Sequence, residues 1–503
     1  MTTTGAVSQL RALFGLRWQM VRSGTARAGL LLALLCVLWL MLLVARGTSG
    51  LDSLQASTAV DLAPEVFLGF GILAIVAPLT AGGGNEILPP EQLVAFPVRP
   101  RTQFVGGLLL APINLVWVLQ ILALIAETVL LAGTGNRWLP ALTTAVFVLA
   151  VTCLGQALAW FVVGLRQSRR GRVGVFLLTA AVVGAVLVVL ASHVGGRVLD
   201  ASPTRAVVAA IRAGARGDDA TWAVTMAVLI LLMLLALRLG EVTCGWAIRQ
   251  PSDAGAMRAT RIVRRRRPYA RPLRALVAMD RASVWRAPAL RRGGLVLALL
   301  PGVATAGIKV PWPSLVVMPG LVAAGAGLLF GINAFSLDGS GALFLASLPH
   351  DPRLIARAKL LVITETVLGA VTVAAVTGSL RSPGSPTPAV LAAIVASGLA
   401  CTAIVVSGGM AASVRRPHQA GLNGPRDAVA PPGALVIASA RLALPAAAVG
   451  AVLETSAQPG VWWLPLSLAA VVMLLCWLSL IRSFRTWADP LVRARIVQTV
   501  SAG

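Results

Sequence analysis

The sequence predicts an all-α polytopic membrane protein, with about 12 transmembrane helices in two pseudo-symmetric six-helix halves and an amphipathic interfacial helix before each half. Three observations predict it. The 503 residues are 57% hydrophobic and only 12% charged, where an average soluble domain is roughly 25% charged. The mean hydropathy is +0.85, and the apolar residues run in long blocks, not at the three-four spacing of surface helices. The basic residues gather between alternate blocks. These features exclude an ordinary soluble globule, a disordered chain and a nucleic-acid-binding domain.

A bilayer core takes about 20 apolar residues per helix, within a range of roughly 17 to 25. Blocks that meet this lie at 28–45, 62–81, 104–132, 141–164, 173–194, 220–237, 293–309, 314–335, 360–380, 388–414, 434–454 and 461–481. The seventh is short and carries Pro301. Ahead of the first block, segment 8–22 sets Leu10, Leu13, Phe14, Trp18 and Val21 near one face. Arg11, Arg17 and Arg22 lie mainly elsewhere, as in a helix lying in the membrane interface. Leu273, Leu276, Val277, Val284 and Trp285 give segment 273–292 the same character.

The net charge of +25 reads as topology. Only Lys309 and Lys359 are lysines; the other basic residues are arginines. With the N-terminus inside, the inward segments 1–27, 82–103, 165–172, 238–292, 336–359, 415–433 and 482–503 hold 34 basic residues and the outward segments 8. That asymmetry places both termini in the cytoplasm and requires an even number of spans. Arg11, Arg17, Arg22 and Arg27 precede a run long enough to span, which argues against a cleavable signal. The run Arg264–Arg267 is expected to fix orientation and bind anionic lipid. The five cysteines form no CxxC pair and the three histidines are far apart, so neither a disulfide framework nor a metal site is expected.

The halves repeat. AFPVRPR, from Ala95 to Arg101, matches SLPHDPR, from Ser347 to Arg353, at an offset of 252 residues. Leu10-Arg11-Ala12-Leu13 likewise matches Leu273-Arg274-Ala275-Leu276, and each precedes the first span of its half. The expected domains are 1–245, an Arg-rich cytoplasmic linker at 246–292, and 293–503 with a cytoplasmic tail. Both halves share one orientation, as in a parallel repeat.

An interfacial helix, two spans, then a cytoplasmic loop of the form leucine–proline–x–x–arginine leading into a span resembles the permease subunit of ATP-binding-cassette (ABC) exporters of the type-2 class. Both halves carry the pattern. The second is closer, with Asn333, Asp338 and Gly339 ahead of LASLPHDPRLIARAKLL. The first departs from it, with Gly107 where the family has a lysine. The resemblance implies that each loop is a coupling helix docking on an ATPase subunit. It carries this role to Glu91, Phe96, Pro97, Arg99, Pro100 and Arg101, and to Leu348, Pro349, Asp351, Pro352, Arg353 and Lys359. Proline agrees with that reading: Pro97 and Pro349 break a helix, and Pro100 and Pro352 suit the first turn of the next. The resemblance also implies a short outer helix before the sixth span, which 195–219 fits.

The chain lacks the GxxxxGK[ST] loop that cradles phosphate. The expected assembly is therefore a non-enzymatic transport subunit without a cofactor of its own. ATP and magnesium would sit on a separate ABC ATPase, in two copies, and the substrate would be a drug, antibiotic or lipid. The Ala, Arg and Gly bias points to a GC-rich bacterial genome and the cytoplasmic membrane. The alternatives are a proton-coupled 12-span drug antiporter and a non-transporting membrane scaffold. Ion coupling needs charge inside the membrane. Glu65 and Glu127 lie toward outer span ends and are expected to snorkel out, whereas Glu365 and Arg441 lie at similar depth and are expected to pair.

Overall fold

The computed structural model of the chain describes residues 53–80, 99–109, 115–133, 135–166, 202–250, 271–307, 310–330, 334–418, 438–458 and 460–501, with scattered positions between 168 and 181. The segment 8–22, the span 28–45 and most of the span 173–194 lie outside the described residues, as do Glu91, Phe96 and Pro97. Among the described residues every regular element is helical.

Among the described residues six helices are long and apolar enough to cross a bilayer, or seven if a pair bent by 83° counts as one span. That is fewer than the twelve blocks read from the sequence, for local reasons. Span 104–132 is helical at both ends, but the link 110–114, which contains Pro112, is outside the described residues. Span 434–454 begins with a π turn at Ser439–Ala443 that shortens its α-helix to Leu444–Thr455.

The chain divides near residue 261 into two compact units. The first contains α1 (Ser53–Thr80), α2 (Pro100–Leu109), α3 (Leu115–Ala132), α4 (Trp138–Arg166), α5 (Thr204–Arg216) and α6 (Asp219–Arg249). Its main core joins Phe67 and Phe70 of α1, Leu124 of α3, Phe147 and Val148 of α4, and Ile211 of α5. A second cluster joins Phe104 of α2 to Trp160 and Cys244. Small residues bring backbones close, as expected where lipid offers no hydrophobic drive. A Cβ on Gly155 would strike the carbonyl of Ala74, and one on Gly240 would strike the Phe104 ring.

The outer segment does form a helix. Val207, Val208 and Ile211 bury one face of α5, and its arginines take the other. It ends at Gly217, whose φ of 80° is the left-handed stop that glycine tolerates. Asp218 then caps α6 by accepting the Thr221 N–H at 3.3 Å. That bond and the Thr221 hydroxyl hold its carboxyl below the ordinary carboxylate range. At 1.5 Å per residue α6 is about 46 Å long, well beyond a hydrocarbon core of about 30 Å. It runs past Arg238 and Glu241, where the hydropathy pattern had placed the end of the span.

The second unit contains α7 (Pro272–Arg286), α8 (Pro288–Gly307), α9 (Met318–Phe330), α10 (Gly341–Ser347), α11 (Pro352–Ser379), α12 (Pro388–Arg415), α13 (Leu444–Thr455), α14 (Trp463–Ala488) and α15 (Pro490–Ser501). Proline sets the boundaries. Pro288 forces Ala287 into extended backbone, so α7 stops and α8 leaves at a right-angle bend. Pro352, Pro388 and Pro490 each open a helix, where their missing N–H costs nothing. The core packs Val322 and Ala326 of α9, Val362 and Val367 of α11, and Val405 and Met410 of α12. By contrast only 17% of the apolar stretch of α14 is buried, against 61% for α12. In a bilayer the open face of α14 meets lipid. The segment after 482, read from sequence as a tail beyond the last span, completes α14 and forms α15, which packs on α10.

Gly155→Ala is expected to destabilise the detergent-solubilised chain by about 1–3 kcal/mol, because a carbonyl in a helix cannot turn aside. Gly69→Ala, which meets nothing within 4 Å, should cost nothing. Thermal unfolding of the two variants checks this; equal behaviour would contradict the packing of α1 on α4.

Candidate functional site

The second proline loop lies between α10 and α11 and is held at both ends. His350 donates both its backbone N–H and its ring Nδ1–H to the carbonyl of Leu348, each at 2.9 Å. The Asp351 carboxylate accepts the Arg353 N–H at 2.9 Å and caps α11. Trp487 of α14 donates its indole N–H to the carbonyl of Pro352 at 2.9 Å. Its ring stacks on Phe335 at 4.3 Å and 6°. Fixed in this way, the loop exposes Leu348, Pro349 and Arg353, and α10 exposes Leu343 and Phe344. Arg353 makes no ion pair among the described residues, and the Asp351 carboxylate is used within the loop.

Lys359 departs from the docking role. It is 3% exposed, on the buried face of α11. Its ammonium donates to Asp280 at 2.6 Å and to Asp338 at 2.5 Å. Asp280 comes from α7 and Asp338 from the 3-10 turn Ser336–Asp338, so one cation fastens three elements. Its place along α11, two turns inside the loop, turns it toward the core instead of the surface. Two clefts flank the cluster. One is lined by Asp280, Lys359, Phe330 and Thr366. The other lies behind the loop and is lined by Phe335, Asp338, His350, Trp487 and Arg493.

The expected pairing of Glu365 with Arg441 does not occur. Glu365 binds Arg281 of α7, with oxygen–nitrogen distances of 2.7 and 2.8 Å. Arg441 is exposed on the π turn. The expectation matched charges by depth within spans. It overlooked the interfacial helix, which packs along α11 and brings Asp280 and Arg281 to Lys359 and Glu365. Asp280 carried a signal in the sequence, as one of only two acids among the 13 arginines of segment 249–292.

In the first unit Arg99 is exposed and Pro100 opens α2. Arg101 meets Glu241 of α6 at 3.8 Å. Its charge is thus answered within the chain. Glu127 does not snorkel. Its side chain turns into the bundle, where the residue is 7% exposed and Oε1 has no hydrogen-bond partner. Cys153, Cys244, Cys401 and Cys476 are buried thiols outside any disulfide, and no group of residues suited to a metal ion occurs among the described residues.

Lys359→Met leaves two buried carboxylates facing each other and should cost about 3–5 kcal/mol of stability. Glu365→Gln breaks a pair that is about half exposed on both sides and should cost less than about 1 kcal/mol. Denaturant titration in micelles separates the two; equal losses would contradict the assignment of the buried cluster. Compared with protein-family models, with curated proteins and with solved structures, the chain matches none.

Proposed function

We propose that this chain is the permease subunit of an ATP-driven exporter in a bacterial cytoplasmic membrane, powered by a separate ATP-binding subunit. The observation that carries the reading is the loop Leu348–Arg353. It presents apolar and cationic groups outward while its backbone is fastened by Trp487, by the Asp351 cap and, one helix segment on, by the Lys359 cluster. A docking element must transmit force, and a loop tied to α14, α11 and α7 moves only if those helices move. The exposed Leu343, Phe344 and Leu348 suit an apolar groove on the partner, and Arg353 suits an acidic rim. Substrate would pass between helices lined mainly by apolar residues, which favours a hydrophobic or amphipathic molecule over a sugar or an inorganic ion.

A proton-coupled antiporter is the second reading. Glu127 favours it, as a carboxylate buried within a span.

Arg353→Glu combined with Leu348→Asp should cut co-purification of the ATPase subunit at least tenfold, with the fold and detergent stability of the permease unchanged, because both side chains face outward. The pull-down is made with an ATPase bearing a GxxxxGK[ST] loop and encoded beside this chain. Undiminished capture by the double variant would overturn the docking role of the loop.

A further inference from the structure

Buried polar atoms are almost always hydrogen-bonded, and an orphan calls for an explanation. Among the described residues of the first unit, Glu65 Oε2, Gln103 Nε2 and Glu127 Oε1 lack a partner, and of the two carboxylates Glu127 of α3 is the more deeply buried, at 7% exposed. Neither protonation state removes the demand. A carboxylate needs a donor or a cation; a neutral carboxyl still carries a donor and an acceptor. The Arg212 guanidinium of α5 lies within electrostatic reach. It does not close on Glu127, and its Nη2 donates to the Val60 carbonyl at 3.2 Å instead.

Glu127 shares a face of α3 with Leu124 and Leu131, which pack into a cluster that contains aromatic rings. The Thr128 and Thr144 hydroxyls bond at 2.7 Å and set that turn of α3 beside α4. Phe147 lies one turn along α4 from Thr144, and Leu124 lies one turn along α3 from Glu127. Both belong to one cluster with Phe67 and Phe70. The Phe67 and Phe147 rings are 5.3 Å apart between centroids, and Phe70 and Phe147 are 6.1 Å apart. Val207, Val208 and Ile211 of α5 cover the same cluster. Ring faces attract cations and reject anions. A buried carboxylate on a helix face that packs against a phenyl cluster therefore matches a bulky organic cation, whose charge the carboxylate answers and whose apolar body the rings accept.

We propose that Glu127, with Phe67, Phe70 and Phe147, forms a binding site for lipophilic cations beneath α5. The site names the substrate class of the exporter and so rests on the transport reading. The full chain in nanodiscs, without any ATPase, is titrated with tetraphenylphosphonium and with the neutral triphenylphosphine oxide. Glu127→Gln keeps the shape and removes the charge; it should weaken phosphonium binding at least tenfold and leave the neutral compound unchanged. Phe147→Leu, a second variant that keeps an apolar side chain, should weaken only the cation, by several-fold. Unchanged phosphonium binding in Glu127→Gln, or equal binding of the two compounds by the wild-type chain, would overturn the proposal. Loss of ATPase coupling with cation binding intact would instead count against the exporter reading alone.

Discussion

An ammonium group cannot sit in an apolar interior without counter-charges in hydrogen-bond reach, and Lys359 meets that demand with two carboxylates. The organisation of the second unit around the loop Leu348–Arg353 depends on this contact. Asp280 ties the interfacial helix α7 to α11, and Asp338 ties the turn ahead of α10 to the same point. Removing Lys359 leaves two buried carboxylates facing each other, which is far more costly than the intact cluster. The cluster therefore works less as a source of stability than as a constraint on arrangement. Three elements that differ by up to 79 residues in sequence must stay in register for both carboxylates to reach the one ammonium.

That constraint gives the loop its mechanical character. Loops on membrane proteins are ordinarily compliant, yet residues 348–353 are tied by the Trp487 indole on one side and lead directly into the helix that carries Lys359. The Arg281–Glu365 pair adds a second, weaker tie between α7 and α11. Force applied at the exposed loop passes along α11 and into the interfacial helix. This is what a transport subunit driven from the cytoplasmic side requires.

Much of this was legible in the sequence where one residue type decides the outcome. Thr387 and Pro388 fixed the start of α12, and the boundary 388–414 read from hydropathy differs from Pro388–Arg415 by one residue. The helix α5 was expected only from the family resemblance, although Val207, Val208 and Ile211 on one face and arginines on the other give it an amphipathic pattern. Hydropathy failed where a helix outlasts the bilayer, as in α6, and where a π turn shortens a span, as at Ser439–Ala443. Charge pairing was the least legible part. Depth along a span says which charges share a level but not which helix faces which, so Glu365 was matched to Arg441 when an interfacial helix supplied Arg281. Glu127 failed for the same reason, since the side of α3 it occupies is set by tertiary packing.

On the proposed function, ATP hydrolysed by a partner drives transport through this chain. This is tested most directly in proteoliposomes containing the full chain and the ATPase encoded beside it, by following tetraphenylphosphonium accumulation in the inside-out fraction. The account predicts uptake that requires ATP, persists when the proton gradient is collapsed, and stops when the ATPase lysine of GxxxxGK[ST] is replaced. Uptake that needs no ATP and follows an imposed pH gradient would contradict it and establish the antiporter.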